Sequence, residues 1–426
     1  MNNQRRRIAD HTHVVTKKVK TEEASVTNFR EVLRLKTVQP EPDYDGAVKF
    51  LQRMAGELQL PCKVIEVHPG REVVVITWEG TDPSLKSVVL NSHTDVVPVY
   101  PESWMCDAFE GKKMDNGDIY GRGTQDMKSV LIQYIEAIRN LKSSGKKFRR
   151  TIHMTFVPDE EIGGVHGMDD FMKLDDFKEL NLGFALDEGL ANPTDAFTVF
   201  YGERNPWWIN VICTGKVGHG SRFIENTAAE KLQKVLNSFL GFREEEKARL
   251  ESVKTPKTCK TLGDVTTVNL TVLEGGEACN VVPQQFKATF DIRIPPSVDL
   301  EEFEKKMNKW VEDAGEGVRI EYIQKHTCQN LTSVNEESPW WRAFSKACDN
   351  MNMKLETEIF PAATDSRYLR AAGFPCLGFS PMNNTPILLH DHNEFLNEEI
   401  FLKGIKIYEN IISELAMVSP LENERN

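Results

Sequence analysis

No apolar run in this sequence approaches the 18 or more residues that a bilayer-spanning helix needs; stretches such as 96–99 and 387–389 end after three or four positions. No segment is therefore expected to cross a membrane. Basic residues are also in short supply, with 52 Lys and Arg against 64 Asp and Glu and a formal net charge of −12. Without a basic stripe to gather phosphates, nucleic acid drops out as a partner. The phosphate-loop motif GxxxxGK, the dinucleotide motif GxGxxG and the serine-hydrolase elbow GxSxG are all missing. Eight cysteines at 62, 106, 213, 259, 279, 328, 348 and 376 form no CxxC pair, so they are expected to be reduced thiols of a cytoplasmic protein. The N-terminal stretch has no apolar signal core. Residues 1–24 are expected to be a mobile basic tail, because Asp10, Glu22, Glu23 and the lysines suit an organelle transit peptide poorly.

What is present is ample apolar material, 40% of 426 residues, enough for two or three domains at roughly 150 residues each. Helical periods run over 26–35, 44–58 and 127–141, the last with Leu131, Tyr134, Ile135, Ile138 and Leu141 at spacings of three and four. Short apolar runs at 73–78, 88–90, 152–157 and 183–186 suit the interior of a sheet covered by helices on both faces. Residues 202–326 change rhythm: strand 208–213, helix 228–249, strands 265–273 and 286–294, helix 300–313, strand 318–323. That β-α-β-β-α-β order predicts a ferredoxin-like α+β domain. The earlier pattern resumes at 339–351, 377–379 and 400–415, so 25–201 and 327–426 are expected to form one discontinuous α/β domain around the insert.

Candidate chemistry gathers where apolar runs end. The run 88–90 leads to Asn91, Ser92, His93, Thr94 and Asp95; two residues apart on an extended chain, Asp95 can accept the second ring N–H of His93 and fix its tautomer. Taken singly, His-x-Asp is more often a surface hydrogen bond. A second run ends at Asp159, Glu160 and Glu161, and a third at Asp187 and Glu188. Position matters more than count, since Glu244, Glu245 and Glu246 sit inside a polar helical stretch and read as solvated charge. Gly121, Gly123 and Asp126 precede a helix, where Asp126 alone reads as an N-cap. His390 and His392 follow the run at 387–389. Together these imidazoles and carboxylates suit two divalent ions held by nitrogen and oxygen, most naturally zinc, with cobalt or manganese as substitutes. One carboxylate would bridge, and an unliganded neighbour could take a proton from the bridging water. Trp207, Trp208, Trp340 and Trp341 read chiefly as packing, secondarily as pocket walls. His11 and His13 have no partner cluster.

In this order the motifs NSHTDVVP at 91–98, TIHMTFVPDEEIGG at 151–164, FALDEGLANPTDAFTV at 184–199, PAATDSRY at 361–368 and GFSPMNNTPILLHDH at 378–392 resemble the zinc aminopeptidase-like M20 metallohydrolases, in particular their aminoacylase branch. The resemblance runs from about 25 to 416. It implies a zinc-aminopeptidase-like α/β/α catalytic domain with an inserted lid that also dimerises the chain. It implies His93, Asp126, Glu161, Glu188 and His390 as ligands of two zinc ions, with Asp126 bridging, Glu160 as general base and Asp95 orienting His93. Glu188 rather than Asp187, and His390 rather than His392, match the family's ligands. It further implies that His219, in the motif Gly218-His219-Gly220-Ser221, serves the site of the other subunit, and that Arg293 and Asn280 bind substrate. Gly220 stands where aminoacylases commonly carry Ala. An oxyanion donor and a bidentate carboxylate clamp are what such chemistry requires. The implied activity is hydrolysis of small N-acyl-L-amino acids to a carboxylate and a free amino acid by a homodimer. An M20 dipeptidase or carboxypeptidase is the alternative within the same chemistry; a metal-free binding scaffold is the alternative outside it.

Overall fold

The computed structural model describes residues 22–252 and 261–424. His11, His13, Cys259 and nearly all of the expected tail lie outside the described residues. In chain order the strands and helices that matter are α1 (Ala24–Leu33), α2 (Tyr44–Leu58), β1 (Cys62–His68), β2 (Arg71–Trp78), β3 (Ser87–His93), α3 (Lys128–Ser143), β4 (Ile152–Val157), β5 (Leu182–Asp187) and β6 (Phe197–Glu203). Then follow β7 (Asn205–Thr214), α4 (Ala228–Glu251), β8 (Thr267–Gly275), β9 (Gln285–Ile294), α5 (Leu300–Ala314) and β10 (Val318–Lys325). The chain ends with α6 (Pro339–Asp349), β11 (Leu355–Phe360), α7 (Ser366–Ala371), β12 (Cys376–Phe379) and α8 (Glu398–Ala416).

Eight strands form one sheet in the order β1-β2-β4-β3-β5-β12-β6-β11. Its centre, β4-β3-β5-β12, is parallel. Every residue of β3 and β4 is buried, the signature of a strand covered on both faces. One face packs on Phe29, Leu51, Leu131, Ile135, Phe344 and Tyr408 from the helices; the other packs on Met168, Phe171, Phe177 and Leu180. Parallel strands point their carboxyl ends the same way, so the polar residues after β3, β4 and β5 share one edge of the sheet. The sheet reaches Glu203, two residues past position 201, because Gly202 and Glu203 pair with Ile359 and Phe360 of β11.

The second sheet has the order β8-β9-β7-β10, antiparallel throughout, with α4 and α5 on one face. Its strands occur in the chain as β7, β8, β9 and β10, and they interleave as a ferredoxin-like unit does. It has a separate core of Trp207, Ile209, Phe239, Phe290 and Met307. The α4 helix starts at a reciprocal Thr227–Glu230 capping box and α5 at Asp299, whose carboxylate accepts from the backbone N–H of Glu301 and Glu302. The Glu244–Glu246 run is not all solvated: Glu246 is buried and accepts from the Thr266 N–H at 2.7 Å, because α4 lies against the start of β8 there. Among the described residues no helix is long and apolar enough to cross a membrane.

Candidate metal centre and cleft

His93 is the last residue of β3, with a fully buried ring. Its Nδ1 lies 2.9 Å from the Asp95 carbonyl oxygen. A carbonyl only accepts, so Nδ1 carries the proton and Nε2 faces the other way. Nε2 lies 2.9 Å from Asp126 Oδ1 and 3.6 Å from Glu188 Oε2. Asp126 Oδ2 is 3.2 Å from His390 Nε2, which in turn is 3.0 Å from Glu161 Oε2. The result is two groups of three possible ligands, His93/Asp126/Glu188 and Asp126/Glu161/His390, with Asp126 common to both.

The expected role of Asp95 changes in detail. Its backbone carbonyl, not its carboxylate, is nearest the His93 ring; Oδ1 is 3.6 Å away. The carboxylate instead accepts the backbone N–H of Glu160 at 3.1 Å and of Glu161 at 3.2 Å, and the Gln39 side-chain amide at 2.8 Å. It therefore couples the end of β3 to the turn after β4. Asp126 does not cap α3 either: the helix begins at Lys128, without a side-chain cap, and the carboxylate points into the site.

The site demands positive charge. Burial pushes Glu161 up to about 7, and burial with the neighbouring Asp126 charge raises Glu188 well above the usual carboxylate range. Burial also raises Glu160. Burial opposes the charged form of His390, yet its hydrogen bonds to Asp126 and Glu161 lift it to about 10. Glu161 Oε1 is buried without a hydrogen-bond partner. Burial opposes the charged form of His93, yet the Glu188 and Asp126 carboxylates that face Nε2 raise its pKa well above the usual histidine range. Protons can relieve such a crowd one charge at a time, but divalent cations suit it better: the donors are all nitrogen and oxygen, at separations a shared ion pair would span.

A cavity of about 170 Å³ opens on this cluster. Asp126, Glu160, Glu161, Glu188 and His390 line it from the large sheet; Trp208, Gln324 and Arg293 line it from the inserted one. Arg293 thus lines the cleft, with its guanidinium held by Asp291 at 2.7 and 3.0 Å. Of the four tryptophans singled out, Trp207 is core, Trp340 stacks on Phe184, Trp341 stacks on Phe344, and Trp208 is a wall of the cleft. His219 and Asn280 are not brought there. Both are exposed on a small two-stranded patch, where Gly218–His219 pairs with Val281–Val282 and Gly220 N–H donates to the Asn280 carbonyl at 2.8 Å. His392 is also outside the cluster, against Tyr100.

Several supporting residues were not legible in the sequence. Glu394, fully buried, accepts from Arg122 at 2.8 Å and from the backbone N–H of Gly123, Gln125 and Asp126 at 3.1, 2.6 and 3.3 Å. Arg122 also donates to the His390 carbonyl at 3.3 Å. One buried ion pair thereby fixes the backbone of two candidate ligands. Tyr44 and Arg71 hold Asp159, and Gln39 bridges Asp159 to Asp95. Arg367 Nη1 stands 3.8 Å from Glu160 Oε1 and lines the cleft. Arg122 and Glu394 each stand four residues from a ligand candidate, Asp126 and His390, but no signal in the sequence pairs them.

The chain resembles known proteins over nearly its whole length. The chain is 59% identical over 411 residues to aminoacylase-1 of Mus musculus, covering 96% of this chain and 100% of that protein. Its fold superimposes on an M20 family metallo-carboxypeptidase from Sulfolobus solfataricus with a TM-score of 0.72 at 17% identity, covering 93% and 100% of the two chains. It also superimposes on the Bacillus subtilis YXEP protein, described as a dinuclear metal binding peptidase, with a TM-score of 0.65 at 14% identity and coverage of 94% and 100%. Residues 89–414 match Peptidase family M20/M25/M40, to which the chain belongs.

Proposed function

We propose that this chain is a two-zinc hydrolase that cleaves the amide bond of N-acyl-L-amino acids, releasing a carboxylate and a free amino acid. The observation that carries the reading is Asp126, shared by two groups of possible metal ligands on the floor of one cleft, with an adjacent carboxylate, Glu160, in neither group. The similarity to aminoacylase-1 over nearly the full chain supports the substrate class. His93, Asp126 and Glu188 would hold one ion, and Asp126, Glu161 and His390 the other. Bound there, zinc would supply Lewis acidity, lowering the pKa of water and polarising the acyl carbonyl.

The chain's own groups do the rest. Glu160, raised by burial, takes the proton of the attacking water as its oxygen bonds to the acyl carbon. Glu160 then gives that proton to the nitrogen as the C–N bond breaks, and the amine leaves neutral. Arg293, its planar fork already oriented by Asp291, pairs with the free α-carboxylate of the substrate. Asp95 keeps Glu160 and Glu161 in register with His93 through its bonds to their backbone N–H groups. We further propose that 25–201 and 327–426 act as the catalytic unit and 202–326 as lid and dimerisation unit. The exposure of His219 and Asn280 supports their serving the cleft of a second copy, where His219 would donate to the developing oxyanion.

The test is a substrate panel on chelator-dialysed protein with and without added zinc. Acetyl-methionine should be hydrolysed only with the metal restored, and unmodified methionyl dipeptides hardly at all. Faster cleavage of the dipeptides would make the chain a dipeptidase instead; full activity after chelation would end the metal reading.

A further inference from the structure

A third cluster of possible ligands lies away from the cleft, built by segments 98 positions apart: His68, His166 and Asp170. His68 ends β1, the outermost strand of the large sheet, at a register shift between Glu66 and His68. Such bulges re-aim a side chain, and here the ring is turned onto its neighbour. His166 sits in the short turn Val165–Asp169, kinked at Gly167, on the segment that leaves Glu160 and Glu161. The two imidazoles stack with centroids 3.8 Å apart. Asp170 Oδ2 faces both, 3.1 Å from His166 Nδ1 and 3.8 Å from His68 Nδ1. Its other oxygen is held by Lys173 at 2.8 Å, which orients the carboxylate and, with His166, keeps it below its usual pKa.

We propose that His68, His166 and Asp170 form a further divalent-metal site, for a borderline ion such as zinc, that clasps the edge strand to the segment following the Glu160–Glu161 turn. Tetrahedral zinc with bonds near 2.0–2.1 Å sets its ligand atoms about 3.3 Å apart, and the separations seen here bracket that value. Two imidazoles and one carboxylate favour zinc over calcium or magnesium, which take oxygen. The rings stack at an interplanar angle of 21°, so metal binding would turn them out of the stack about Cβ–Cγ, a broad torsion. All three side chains are partly open to water, so an ion can enter and a water can complete the shell. Lys173 plays the outer partner that metal-bound carboxylates commonly have.

The experiment is a calorimetric zinc titration of the holoenzyme, after its cleft is saturated and excess metal removed. The parent should bind one further ion per chain, while His68→Ala and His166→Ala each weaken that step roughly tenfold or more and retain parental turnover without added zinc. Amide hydrogen exchange across 163–170 should slow on zinc addition in the parent only. A parent that takes up no further ion, or variants that match it in affinity, would overturn the proposal.

Discussion

The large sheet and the inserted sheet both bring polar side chains toward one reaction, but they hold them differently. On the large sheet several candidate groups are tied by a second one: Asp95 grips the Glu160–Glu161 backbone, Glu394 grips the Asp126 loop, and Arg122 reaches His390. On the insert, among the described residues, the Arg293 guanidinium pairs with Asp291 and lies over the Trp208 ring, and the His219 ring meets Ser221 alone, at 2.8 Å. A group that must resist the repulsion of like charges needs burial and cross-bracing. A group that meets the substrate only on closure, or from a second copy, can wait exposed. Under the proposed mechanism, this difference in support separates parts fixed in advance from parts delivered later.

The strongest challenge to this contrast is Glu160→Gln, which keeps shape while removing the proton acceptor. Turnover should fall about a thousandfold with metal content, read by elemental analysis, unchanged; a full rate would move the base elsewhere. Next comes Arg122→Met, which leaves the Glu394 charge buried without its cation, held by backbone N–H groups alone. Denaturant unfolding should show a loss of about 3 kcal/mol or more, together with weaker metal retention. On the insert, His219→Ala should lower kcat about a hundredfold with no change in unfolding midpoint. Mixing those chains with Glu160→Gln chains should restore activity, because one hybrid cleft is whole; no recovery under proven subunit exchange would place His219 in its own chain's site or in none.

The smallest effect concerns pH. Among the described residues the buried histidines are His93 and His153, both on the large sheet. Burial pushes His153, beside Thr77 Oγ1 at 2.9 Å, down to about 4, from an ordinary value of about 6.5. The unfolded chain then binds the proton first. His153 therefore contributes its stability above pH 6.5 and loses it as pH falls from there through about 4, a loss of about 2 kcal/mol at pH 5. Urea unfolding at pH 7 and 5 should show a shallower fall for His153→Gln than for the parent; equal slopes would remove His153 from the account.

Much of this was legible because buried parallel strands leave dense apolar runs, as at 88–90 and 152–157, and chemistry follows directly after them. Edge and outer strands were not. In β1, Cys62–His68, only Ile65 is buried, and β11, Leu355–Phe360, alternates with glutamates, so neither makes an apolar run. The ligand candidates stood in local motifs. Their braces did not: Tyr44 meets Asp159 across 115 positions and Glu394 meets Asp126 across 268, with no periodicity to connect them. Glu246 read as solvated because a helical charge run carries no sign of which member a neighbouring strand will cover.

The place of β12 has a consequence for how the chain comes off the ribosome. This strand, residues 376–379, lies in the interior of the sheet between β5 and β6, and Glu394 follows it. A nascent chain emerging from its N-terminus can build the insert early, since all four strands of that unit are complete by Lys325. It cannot close the large sheet, or lock the Asp126 loop, until the last tenth of the sequence has appeared and a loop of some 270 residues has been drawn shut. The reaction centre consequently cannot be completed until late in translation, and a chain truncated before position 376 would lack β12, His390 and Glu394.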